Sequence, residues 1–154
     1  LETHLKGTES ILESWGASDV LRSAGLFHAA YGTAGFDENM VSLAQRQDIK
    51  NIIGDEAEAL VYLYCSCDRN TVFPQFGSSD KIQFKDRFNG SLFELTTEQM
   101  RSFCELTAAN ELEIANDAYK AKYSKNLLTL FNGMKSHLSL KACLTYESVL
   151  GEIA

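Results

Sequence analysis

Along most of the chain, apolar residues recur three and four positions apart, the spacing of helices with one buried face. Residues 8–15 read as a helix with Ile11, Leu12 and Trp15 inward and Gly16 as its stop. Ser18 reads as an N-cap with Asp19 in the first turn. The helix it starts is expected to run to about Tyr31 on a stripe of Leu21, Ala24, His28 and Tyr31. Gly32 ends that helix, and a loop takes 32–42. A short helix at about 43–53 follows, closed by Gly54. The segment 55–67 reads as a stronger helix, with Ala57, Leu60, Val61 and Tyr64 on its stripe and Asp68 one turn on. Residues 69–79 read as irregular and polar.

Between 80 and 95 the period changes to two. Ile82 and Phe84 alternate with polar residues, and Asn89-Gly90 suggests a type I′ turn, so a β-hairpin is expected at 81–94. Thr96 and Gln99 form a capping-box pattern ahead of a long helix at 97–115. Two more helices are expected at about 117–134 and about 139–151, the latter with Ser139 as N-cap. Pro74 is the only proline, which permits long helices. The 154 residues show no repeat or linker and suit one ordinary domain over 1–154, mainly α with a small hairpin.

Charge narrows the function classes. Lysine and arginine total 14 against 21 aspartate and glutamate, a net charge of −7 with no basic cluster. Such a chain is poorly suited to a phosphate backbone, so no nucleic-acid partner is expected. No apolar run approaches the length of a membrane span, and the charged first residues do not form a signal peptide, so no membrane partner is expected. A small-molecule ligand remains compatible with the charge, and an oligomer is allowed. Cys65, Cys67, Cys104 and Cys143 fit no standard zinc or redox spacing. They read as free thiols in a reducing, cytoplasmic setting.

Helical phase turns several polar groups inward. His28 shares its stripe with Leu21, Ala24 and Tyr31, Asp68 follows Tyr64, and Asn110 lies on the inner side of the long helix. Extending the first helix backwards aligns His4 with Thr8, Ile11 and Trp15. An unpaired buried polar group costs roughly 1–3 kcal/mol, so these groups need partners. Two arrangements satisfy them: a metal held by the histidines and a carboxylate, or a hydrogen-bonded histidine network without metal. His137 falls in a turn between helices, where solvent and a helix C-terminus suit it.

The segment Ala24-Gly25-Leu26-Phe27-His28-Ala29-Ala30-Tyr31-Gly32-Thr33 resembles the Ala-x-Leu-Leu-His-Asp stretch of HD-domain proteins, helical metal-dependent phosphohydrolases with some iron oxygenases. His4, 24 residues before His28, suits the first histidine of that pattern. Residues 48–61 are similar to a stretch of the alarmone (guanosine tetraphosphate) hydrolases, and this likeness covers roughly 4–68. His-Leu-x-Gly-Thr, Trp-Gly and Tyr-Gly-Thr make the whole chain similar to an uncharacterised HD-related family, which implies the HD-like helical fold but no activity. The departures are specific. Ala29 replaces the metal-binding aspartate of the pair, no carboxylate follows it before Asp37, and the late aspartate has only Asp68, Asn110 or Glu111 as counterparts.

The resemblance therefore implies three outcomes. In the first, His4, His28 and Asp68 hold a divalent metal (Mn, Fe or Zn), and Asp68 with Arg69 serves hydrolysis of a small phosphorylated or anionic substrate. The same two-His-one-carboxylate set would suit a non-heme iron oxygenase. In the second, the metal is lost, no cofactor is needed, and the pocket binds a small ligand through His28, Tyr31, Thr33 and Arg69. In the third, the scaffold survives as an interaction domain. Arg46, Glu58 and Asn110 are further candidates for ligand contact.

Overall fold

The computed structural model describes residues 2–35, 39–115 and 117–150. Asp37, the first carboxylate after the His28 segment, lies outside them. Helix α1 spans Glu2–Ser14, α2 Asp19–Phe27, α3 Arg46–Ile53, α4 Asp55–Ser66 and α5 Arg69–Val72. Strands β1 (Gln83–Lys85) and β2 (Leu92–Glu94) follow, then α6 (Thr97–Ile114), α7 (Asp117–Met134) and α8 (Leu140–Leu150). The described residues are mainly α with one small antiparallel hairpin, as the apolar pattern predicts.

Helix α6 lies at the centre, against α1, α2, α4, α7 and α8. Phe103, Cys104, Leu106, Ala108 and Ala109 are all fully buried, so the helix is enclosed over most of its circumference. Its start is the expected capping box: the Thr96 hydroxyl accepts from Gln99 N, and the Gln99 side chain accepts from Thr96 N. Ser18 caps α2 through Leu21 N, and Ser139 caps α8 through Ala142 N. Glu105 of α6 accepts from both Ser139 N and Ser139 Oγ, which ties the start of α8 to the central helix. Among the described residues no helix is long and apolar enough to cross a membrane.

Four local expectations change. Helix α1 begins at Glu2 rather than at 8, which makes His4 helical. Helix α2 stops at Phe27, not Tyr31, because His28 Nδ1 donates to Gly25 O at 2.7 Å. That side-chain bond occupies a carbonyl the next helical turn would use, and tighter three-residue bonds follow, from Ala30 N to Phe27 O and Gly32 N to Ala29 O. The segment 69–79 is not wholly irregular: it holds α5 and a 3₁₀ turn at Phe73–Gln75. Asn89-Gly90 does not form a type I′ turn, since among the described residues only glycines have positive φ. Instead Asp86 Oδ1 accepts from Phe88 N and Asn89 N, and Gly90 alone, at φ 76°, supplies the left-handed step.

Candidate functional site

His4 on α1 and His28 at the end of α2 meet edge to face, their ring centroids 5.1 Å apart. His28 packs the same way on Tyr64 of α4, at 5.4 Å. Asn110 of α6 closes the group: its Oδ1 accepts from His4 Nε2 at 2.7 Å, and its side chain also interacts with His28. His4 Nδ1 is buried without a hydrogen-bond partner, although Glu113 Oε1 stands 3.2 Å away. Gly7 permits this approach, because a Cβ there would sit 2.8 Å from Glu113 Cγ. Burial pushes the His28 imidazole down to about 4, against its bond to Gly25, so the ring is neutral at pH 7. His28 is 2% exposed.

Asp68 does not join the histidines. Its Oδ1 caps α5 by accepting from Thr71 N, and its Oδ2 faces Lys85 Nζ at 3.8 Å. A short polar side chain directly before a helix start finds that cap locally, and this outcompetes a turn inward. Among the described residues no group of three or more histidine, cysteine, aspartate or glutamate side chains is arranged to hold a metal ion. The three expected donors, His4, His28 and Asp68, thus do not fit a divalent metal. His4 Nε2 and His28 Nδ1 are engaged with Asn110 and Gly25, and the carboxylate is committed to its cap.

Arg69, next in sequence, does point inward. Its guanidinium lies over the faces of Tyr64 and Phe73, 5.4 and 5.5 Å from their centroids, and donates to Tyr64 Oη at 3.2 Å. Its Nη1 stands 4.0 Å from Glu111 Oε1 on α6. Burial raises the Glu111 carboxyl above the usual carboxylate range, with Arg69 and Tyr119 working the other way. This pair forms the polar end of a cleft of about 540 Å³ between α5 and its following turn on one side and α6 and α7 on the other. Phe73, Tyr119, Tyr123 and Leu127 line its walls. Tyr119 and Tyr123 lie one turn apart on α7, with centroids 4.7 Å apart. Apolar periodicity by itself assigns no role to Phe73 or to either tyrosine. The Arg69–Phe73 and Tyr119–Tyr123 spacings of four are the available signal.

Tyr31, Arg46 and Glu58 form a second group. Arg46 grips Glu58 with both ends of its fork, Nε to Oε2 at 2.9 Å and Nη2 to Oε1 at 2.7 Å, and Tyr31 Oη donates to Oε2 at 2.7 Å. Arg46 stacks on the Tyr62 ring at 3.8 Å, and Tyr62 Oη donates to Asp86. Burial opposes the Glu58 charge, but the bonds from Arg46 and Tyr31 prevail and hold its carboxyl low. All its partners are internal, so this group knits α3, α4 and the turn after α2. Thr33 is buried beyond Tyr31 and does not line the cleft. The four cysteines are free thiols, and Cys65, Cys67 and Cys104 are buried.

Residues 1–69 of the 154 match the model of a family described as a domain of unknown function, DUF6817. No curated protein and no solved structure matches the chain. The matched stretch carries His4 and His28 and ends at Arg69, so it stops where the cleft begins.

Proposed function

We propose that this chain is an HD-like domain that has lost its metal and binds a small molecule in the cleft that begins at Arg69 and Glu111. One observation carries the reading: an aromatic-walled cleft of about 540 Å³ whose inner end holds a convergent arginine and glutamate. Binding sites for small molecules are commonly apolar clefts with a few placed polar groups. The HD-like part rests on the segment 24–33, where Ala29, 3% exposed, occupies the place of the family's aspartate. The divalent-metal hydrolase and iron-oxygenase readings both need a third donor beside His4 and His28, and Asp68 is engaged elsewhere. The histidine group then acts as a rigid floor beneath Tyr64 and Arg69. Cytoplasmic residence, suggested by four free thiols, belongs to the same proposal.

Amide and aromatic NMR spectra recorded during titration with a set of small aromatic fragments test this. Saturable shifts concentrated at Phe73, Tyr119, Tyr123 and Leu127 are expected, and shifts elsewhere or nowhere would overturn the cleft as a site. Metal analysis after growth with added Mn, Fe and Zn tests the other half. Stoichiometric metal that disappears in His28→Ala would restore the metal-enzyme reading.

A further inference from the structure

Within the cleft, Arg69 and Glu111 face each other without closing on each other. At 4.0 Å, Nη1 and Oε1 stand outside hydrogen-bond range, which runs to about 3.2 Å for N–H···O. The other contacts of Glu111 are also long, 3.5 Å from Asn110 Nδ2 and 3.4 Å from Tyr119 Oη. Arg69 has one short bond, to Tyr64, although a guanidinium carries five donors. A half-buried guanidinium and a buried carboxyl held this loosely leave a donor and an acceptor side by side, facing the aromatic walls.

We propose that the cleft takes a planar, uncharged ring bearing a lactam or cyclic-ureide edge, bound with that edge between Arg69 and Glu111. This rests on the ligand-binding reading above. The ring carbonyl accepts from Arg69 and the adjacent ring N–H donates to Glu111, so Glu111 gains a short partner and Arg69 a second one. Phe73, Tyr119 and Tyr123 provide aromatic surface for the ring faces. A carboxylate ligand would satisfy Arg69 but set its second oxygen against Glu111 whenever that carboxyl is ionised. An aromatic amine would donate to Glu111 but leave Arg69 without an acceptor. The neutral edge with one acceptor and one donor matches both. Burial that favours the protonated Glu111 carboxyl does not spoil the match, because its carbonyl oxygen still accepts the ring N–H.

The test uses the whole chain and three probes followed by NMR shifts and calorimetry: 2-quinolone, N-methyl-2-quinolone and 2-naphthoate. Binding of 2-quinolone at the cleft is expected, with the N-methyl analogue about tenfold weaker because it lacks the donor. The naphthoate is expected to bind no better than the N-methyl analogue. In Glu111→Leu the preference between the two quinolones should vanish. Should that variant fail to fold, the comparison of the two quinolones on the unaltered protein decides alone. Equal binding of both quinolones, or tighter binding of the naphthoate, overturns the ligand class and leaves the cleft as a site. Entry of other aromatic fragments without 2-quinolone overturns the ligand class in the same way. A cleft that binds no aromatic probe overturns this class together with the ligand-binding reading.

Discussion

His4 and Asn110, 106 residues apart in sequence, share a 2.7 Å hydrogen bond that joins the first helix to the central one. Each removes the other's desolvation penalty. Asn110→Leu leaves His4 Nε2 buried without an acceptor and is expected to destabilise the fold by about 1–3 kcal/mol. In urea unfolding, the His4→Leu, Asn110→Leu double variant should lose less than the sum of the singles, because the second change removes the orphan left by the first. Strict additivity would show that the two residues are not coupled.

Acid should weaken the fold through His28. Its folded-state pKa is about 4, against 6.5 in the unfolded chain, chiefly because burial disfavours the charged ring, with the charges of His4 and Arg69 adding to this. As pH falls below 6.5 the unfolded chain takes up the proton first, and the folded state follows only near 4. The stability that neutral His28 contributes is complete above pH 6.5 and is lost progressively between 6.5 and 4, by at most about 1.4 kcal/mol per pH unit. Unfolding midpoints measured across that window should slope less in His28→Phe, and parallel slopes would refute the assignment.

Glu58 is fully buried, while Arg46 keeps 34% of its side chain exposed. Glu58→Gln removes the charge that balances Arg46 and weakens the bond from Tyr31. The partial exposure of Arg46 brings the cost below that of a wholly buried pair, to about 2 kcal/mol. Thermal unfolding checks the size. The cleft is built by other residues, so fragment shifts at Tyr119 and Tyr123 should persist in this variant.

Gly133 lies against the turn that carries Phe76. A Cβ there would stand 2.5 Å from Phe76 O and 2.8 Å from Phe76 C, both backbone atoms with little room to move. Gly133→Ala should cost about 1–3 kcal/mol and shift the cleft wall, which includes Phe76. In Gly25→Ala the new methyl meets the terminal Cδ1 of Leu12, a side-chain end that can rotate, and a smaller loss is expected. Comparing the two melting curves tests whether α7 is seated by backbone contact.

The apolar period locates the long helices because their stripes have 10 or more residues over which to repeat, and Thr96–Gln99 and Ser139 mark two starts by chemistry that acts within one turn. Helix α5 escapes it because four residues are too few to show a period. The inward turn of His28 and Asn110 is legible from phase, as is that of His4 once α1 is extended backwards. Asp68 is not, since a capping bond to Thr71 settles its direction and periodicity carries no information about caps. The cleft is invisible for another reason: Arg69 and Glu111 lie on helices whose approach depends on tertiary packing.

The hairpin has a consequence for timing. Asp68 N donates to Lys85 O, Arg87 N to Ser66 O and Arg87 Nε to Cys65 O, so the ribbon is stitched to the end of α4 immediately before Arg69. A two-stranded ribbon is only marginally stable alone and borrows its persistence from what it touches. When it opens, the anchor of Arg69 is released with it. The lifetime of the cleft is then governed by a local opening that can be far more frequent than unfolding of the whole chain, and hydrogen exchange at the amides of Asp68 and Arg87 would report that lifetime directly.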